Sequence, residues 1–240
     1  MKTNNKCAAV RLEKSKLVAA LAILAVAFVV IAAVPAVADD SDATTSKTVN
    51  VASYDKLKAA IEATDESAAD KIILTADIDM TKKATIDIGR NITLDLAGKT
   101  ITKTQQKIDS NTDFTSENRM KVFNVKPGFT MTISDSVGNG KIVGKSTAGS
   151  TWDTASGDQV ISVGGGSSVA TLNLNKITIE SDFYGIGVWE LGKVDATETT
   201  IKTVDASTLG LNGSEEGGSK SVYVTITGGT YSSDNAPAFF

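Results

Sequence analysis

The chain has 240 residues, enough for one large domain or two small ones, with 5% aromatics and three prolines, so its interior must be packed mainly with Val, Ile, Leu, Thr and Ala. It contains no histidine and a single cysteine, Cys7, which excludes Ser-His-Asp and Cys-His catalysis, histidine metal sites and internal disulfides. The formal charge is -4; residues 39–240 alone carry 19 basic and 27 acidic groups, a net -8, and no basic run, so the chain is a poor candidate for nucleic acid or anionic lipid, and no nucleic-acid partner is expected.

Residues 1–16 are basic and polar, and Leu17 to Val34 follow without a charge. The apolar run ends in Pro35-Ala36-Val37-Ala38 and is followed by Asp39-Asp40. A basic start, an apolar stretch and an Ala-x-Ala ending predict a secretory signal peptide over residues 1–38, cut after Ala38. The competing reading is an uncleaved membrane anchor, since about 17–25 apolar residues span a bilayer. In that case the membrane is touched through this segment alone. Both readings place the rest outside the cytoplasm, secreted or at the cell surface.

Residues 39–50 are polar and predict a flexible leader. Ser53 to Thr64 then reads as one short amphipathic helix: Tyr54, Leu57, Ala60 and Ile61 share a face, and Ser53 is placed to cap it. From Lys71 the apolar period changes to two, and Lys71–Ile78 is the first strand candidate. A loose repeat follows. One half is an alternating strand, a turn and a second short strand, as in residues 91–102 (NITLDLAGKTIT), 130–144 (TMTISDSVGNGKIVG), 171–181, 193–203 and 223–233. The other half precedes it, as in 84–88, 121–128, 159–166, 184–192 and 209–213.

The marker positions Leu94, Ile133, Leu174, Ala196 and Ile226 are unevenly spaced, the pattern of stacked coils with variable loops. A single coil cannot bury its apolar face, but a stack makes a continuous core. Alternation turns Ile92, Leu94, Leu96, Met131, Ile133, Leu172, Leu174, Val224 and Ile226 inward, and Thr93, Asp95, Thr132, Asn173, Thr225 and Thr227 outward. The predicted fold is all-β, a parallel β-helix over residues 51–240, with long insertions at 103–120 and 145–158. A sandwich of antiparallel sheets is the alternative; only Gly138-Asn139-Gly140 and Asn212-Gly213 resemble the hairpin turns it needs. The chain stops where another coil is due, and Phe239-Phe240 make a poor cap, so a C-terminally incomplete domain is expected.

The helix followed by DKIILTADI, together with NITLDLAGKTIT, MTISDSVGNGKIVG and VTITGGTYSS, resembles the pectate-lyase-like β-helix superfamily, in particular its adhesin-like secreted and surface proteins. The resemblance covers roughly residues 50–240. It implies a right-handed β-helix with an N-terminal capping helix. Members include lyases, hydrolases and non-catalytic binding modules, so the fold alone does not assign an activity.

The family's catalytic motifs are not matched. Asn111-Thr112-Asp113 resembles one element of polygalacturonases, but its His-Gly partner is impossible here. Arg90 and Arg119 lie outside the arginine motif of pectate lyases; Arg90 reads as surface charge at a turn, and Arg119 has no assignable place. Gly164-Gly165-Gly166 is followed by a strand, not the helix a phosphate loop requires. Asp87 and Asp95 could approach acids of neighbouring coils and form a calcium site or a glycosidase pair. No cofactor is expected, and calcium is the one ion the carboxylates leave room for.

Aromatic rings beside polar groups make a sugar platform. Trp152 with Asp153 in an insertion, and Trp189 with Tyr184 on one strand, are the candidate ligand-binding residues. The expected function is a non-catalytic, adhesin-like β-helix that binds a glycan or another cell-surface polymer. The alternatives are a calcium-dependent polysaccharide lyase or glycoside hydrolase, and a structural spacer of a larger surface protein.

Overall fold

Alternating apolar residues make each strand two-faced, and the fold follows from burying one face of every strand in a common core. The computed structural model describes residues 46–65, 68–106, 115–146, 158–212 and 221–239. Strand β1 (Thr48–Val51) leads into helix α1 (Tyr54–Glu62). Coils follow: β2 (Lys71–Leu74), β3 (Ile78–Asp79) and β4 (Ile86–Ile88); β5 (Ile92–Asp95), β6 (Thr100–Gln105) and β7 (Phe123–Val125); β8 (Thr130–Ser134), β9 (Lys141–Ser146) and β10 (Gln159–Val163). Then come β11 (Ala170–Asn175), β12 (Thr178–Ser181) and β13 (Tyr184–Trp189); β14 (Gly192–Thr197), β15 (Thr200–Thr203) and β16 (Leu209–Asn212); and β17 (Tyr223–Thr227) with β18 (Thr230–Ser233).

Successive coils contribute one strand to each of three sheets. The first sheet runs β1-β2-β5-β8-β11-β14-β17, the second β3-β6-β9-β12-β15-β18 and the third β4-β7-β10-β13-β16. Every pairing among these strands is parallel. This is the arrangement of a parallel β-helix, and it rules out the antiparallel sandwich. The Gly138–Gly140 turn joins β8 to β9, which lie in different sheets, so it makes a corner and not a hairpin. Equivalent corners hold Ala97, Lys176 and Glu198 at positive φ.

The five marker residues fall in one register. Leu94 pairs with Ile133, Ile133 with Leu174, Leu174 with Ala196, and Ala196 with Ile226. Val49 and Ile72 extend the row at the other end. Ile72, Leu94, Ile133, Leu174 and Ala196 are buried in the core, whereas Ile226, in the last described coil, is 37% exposed.

Several sequence boundaries move. Thr48–Asn50, read as leader, belong to β1. The Lys71–Ile78 candidate divides between β2 and β3, in two sheets. Lys103–Gln105 and Lys145–Ser146, read as insertion, complete β6 and β9. Asp95 is buried and not solvent-facing. Its Oδ1 accepts from Ala97 N–H and Ser136 N–H, and Lys71 Nζ lies 3.3 Å from Oδ2. Burial opposes the Asp95 charge, but the donors of Ser136 and Ala97 and the Lys71 ammonium outweigh it and hold its pKa below the usual carboxylate range. Buried Asp135 does the same work one coil on, accepting from Gly98, Val137 and Gly140 N–H. These two acids anchor the backbone at the corner between sheets.

Ser53 caps α1, its hydroxyl accepting from Lys56 N–H at 3.4 Å, and Leu57 and Ile61 are buried while Tyr54 and Ala60 pack against the core. Arg90 holds the other end. Its guanidinium donates to the carbonyls of Ile61 (3.0 Å), Ala60 (2.7 Å) and Ala69 (2.7 Å). The residue that reads as surface charge is therefore a clamp on the last turn of the helix, where carbonyls lack intrahelical donors. Arg90→Ala is expected to cost about 2 kcal/mol, seen in denaturant titration, with Arg90→Lys recovering only part of it because one ammonium cannot reproduce the fork. A loss below about half a kcal/mol would show that the clamp is idle.

Candidate functional site

The third sheet carries Tyr184 and Asp87 on its outer side. Its inward residues form the rows Ile86, Phe123, Ile161, Ile186, Leu209 and Ile88, Val125, Val163, Val188. Val160 joins the core together with Ile161, so the strand bends there and both Gln159 and Ser162 emerge on the other side. Two outer rows result. One holds Asp87, Asn124, Ser162, Gly187 and Gly210. The other pairs Gln159 with Tyr184; Lys121 lies two residues before Phe123, at the entry to β7 and outside its paired register.

The glycines let the second row lie across the first. A Cβ on Gly210 would meet the Tyr184 ring at 3.2–3.3 Å, and one on Gly187 would meet the Gln159 side chain at 2.9–3.1 Å. Tyr184 therefore rests flat on Gly210, half-buried, with Phe183 edge-on to it at 4.8 Å and 83°. Gln159 is buried, and its Nε2 has no hydrogen-bond partner among the described residues. A buried amide donor without an acceptor is costly in a finished structure, so this face carries an unmet hydrogen-bonding demand.

Beside this row lies a cleft of about 200 Å³ lined by Thr85, Asp87, Ser116, Arg119, Lys121 and Asn124. Asp87 Oδ1 accepts from Asn124 at 2.8 Å and Oδ2 is 2.9 Å from Lys126 Nζ. Burial opposes its charge, but Asn124 and Lys126 prevail and keep its pKa low. Arg119 gains a definite place: its Nε donates to Asp158 Oδ1 at 3.1 Å, while Met120 N–H donates to Asp158 Oδ2 at 2.6 Å. This pair ties the chain entering β7 to the chain entering β10. A second cleft of about 220 Å³ shares Asp87 and reaches Lys126, Arg90 and the end of α1.

Two lysines behind and within the first cleft are perturbed. Lys103 is wholly buried, its ammonium donating to Ser116 O (2.7 Å), Lys121 O (2.8 Å) and Thr85 Oγ1 (3.5 Å). Burial lowers its pKa to about 8. Lys121 is half-buried; burial first, then the Arg119 guanidinium, lower its pKa to about 8 as well. Its amine has no hydrogen-bond or ion-pair partner among the described residues.

Of the residues expected to bind, Tyr184 lies on this face. Trp189 ends the same strand, five residues on, about 16 Å away at strand rise, so the two do not form one platform. Its Cβ packs near Gly165 in the turn after β10. Trp152 and Asp153 lie outside the described residues, as do Asn111-Thr112-Asp113 and the 1–38 segment. Asp87 meets an amide and a lysine on its neighbouring coil and not a second acid. Among the described residues, no group of three or more acidic or thiol side chains is placed to hold a metal ion. Sequence reasoning passed over Lys103, Lys121, Asn124 and Gln159. Lys103 had a signal, since alternation in TITKTQ puts it on the face of Ile101.

No family model matches the chain. No curated protein and no solved structure matches it.

Proposed function

We propose that the chain is an exported, non-catalytic surface protein of right-handed β-helix build whose third-sheet face binds an acidic glycan or another anionic surface polymer. The observation that carries this is the Tyr184 ring on β13, paired in register with Gln159 on β10, together with the Lys121 amine in the adjoining cleft at the entry to β7, which has no hydrogen-bond or ion-pair partner among the described residues. Strand spacing is about 4.8 Å, so the Tyr184 ring and the Lys121 amine, two coils apart, lie within reach of one extended polymer, while Gln159 between them is buried. Rings stack on apolar sugar faces, amides orient hydroxyls and a lysine selects charge. The chain as a whole is acidic, which keeps non-specific adhesion to anionic surfaces low.

The test is binding of the full chain to an array of neutral and acidic glycans, with calcium and with EDTA, at two salt concentrations. Acidic glycans should bind preferentially and weaken as salt rises. Lys121→Met and Tyr184→Ala should each reduce affinity about fivefold to thirtyfold, about 1–2 kcal/mol. Equal retention of neutral and acidic glycans, or binding indifferent to both substitutions, would remove this face from consideration.

A further inference from the structure

Lys121 has a chemistry that polymer binding leaves unused. Lys58, Lys71, Lys126, Lys141, Lys176 and Lys193 are ion-paired. Lys103 is sealed in the interior against three oxygens. Lys121 combines a cleft, partial burial and an amine without a partner among the described residues; Lys145 and Lys202 also line a cleft, but both are exposed. The cleft, at about 200 Å³, admits a molecule of a few carbon atoms.

We propose that Lys121 is a site of covalent carbonyl capture, its ε-amine forming an imine with an aldehyde of the class carried by open-chain reducing sugars. The amine lone pair forms the new C–N bond to the carbonyl carbon. The nitrogen gives up both its protons, and the carbonyl oxygen leaves with them as water. No oxidant or reductant is consumed. A desolvated lysine beside a second cation is the form in which amines act as nucleophiles near neutrality. The charged groups facing Lys121 enter the balance: burial, Arg119 and the neighbouring Lys103 ammonium favour the neutral amine, while Asp158 at the start of β10 and Asp87 on β4 favour the ammonium, and the former prevail. Ser116, Thr85 and Asn124 supply hydroxyl and amide groups around the carbonyl carbon's substituents.

Lys103 is an internal control, because it shares the lowered pKa but not the access. The experiment treats the full chain, in mild detergent, with glyceraldehyde and sodium cyanoborohydride from about pH 6 to about pH 10, and maps the labelled lysines by peptide mass spectrometry. Lys121 should label about tenfold or more faster than the median lysine at neutral pH, with a midpoint near the pKa of about 8, and Lys103 should stay unlabelled. Labelling of Lys121 no faster than exposed Lys176 overturns the proposal. Tyr184→Ala separates it from polymer binding: labelling should persist where glycan affinity falls, and loss of labelling in that variant would also count against an independent amine site.

Discussion

Leu94→Ala is expected to destabilise the protein by about 3–4 kcal/mol and lower its melting temperature by about 10 °C. Leu94 is fully buried on β5, and its register partners are Ile72 on β2 and Ile133 on β8. Truncation leaves a cavity bounded on both sides by strands that cannot approach each other, because the hydrogen-bond spacing of the sheet holds them about 4.8 Å apart. The site therefore collapses poorly, which places the cost in the upper part of the range for leucine truncation. Thr93→Ala, on the outward side of the same strand, is the matched control and should change stability by less than about 1 kcal/mol. Both values come from denaturant unfolding. A loss at Leu94 of under about 1 kcal/mol would mean that the ladder is not what holds adjacent coils together.

Stability should also rise as pH is raised from about 8 to about 10.5, opposite to the usual alkaline trend. Lys103 has a pKa of about 8 when folded and the ordinary 10.5 when unfolded. Between those values the unfolded chain binds a proton that the folded chain has lost, so each step up in pH favours folding. Below about pH 8 both states are protonated and the buried charge exerts its full cost; above about 10.5 both are neutral and the cost is gone. The span is on the order of 2–3 kcal/mol, toward the lower end because the carbonyls of Ser116 and Lys121 favour the ammonium. Lys121 adds a smaller contribution of the same sign. Lys103→Met should flatten most of the rise while leaving two carbonyls without their donor, at about 1–3 kcal/mol. The measurement is chemical denaturation of both proteins across that pH range. Parallel profiles would show that Lys103 does not titrate in this way.

The coil repeat was legible because burial imposes a period on the sequence. Leu94, Ile133, Leu174, Ala196 and Ile226, chosen for their place in an alternating pattern, stand in one register despite spacings that differ almost twofold. The cap at Ser53 and the helical face of Leu57 and Ile61 were legible for the same local reason. Corners were not. Asp95 alternates with apolar neighbours and so reads as outward, yet the strand ends there and its carboxylate folds back onto Ala97 and Ser136. Arg90 reads as a charge at a turn because nothing local reveals that the carbonyls of α1 lie across from it. The candidate site depended on register and was mostly hidden. Tyr184 was singled out as an aromatic, but Gln159 becomes its neighbour, with Asn124 and Lys121 one coil further, only when residues far apart in sequence are laid in register. The bend at Val160–Ile161 breaks the period of two where the site begins.

Parallel stacking has a mechanical consequence. Each coil is bonded only to the coil before and the coil after it, and the hydrogen bonds point along the stack. A pull applied to the two ends of the stack loads those bonds lengthwise and concentrates on the outermost coil, which opens before its neighbour feels the full load. Each rupture then releases a separate length of chain, from the 22 residues between Leu174 and Ala196 to the 41 between Ile133 and Leu174. Such a chain yields to tension in instalments, lengthening step by step while the remaining coils stay folded.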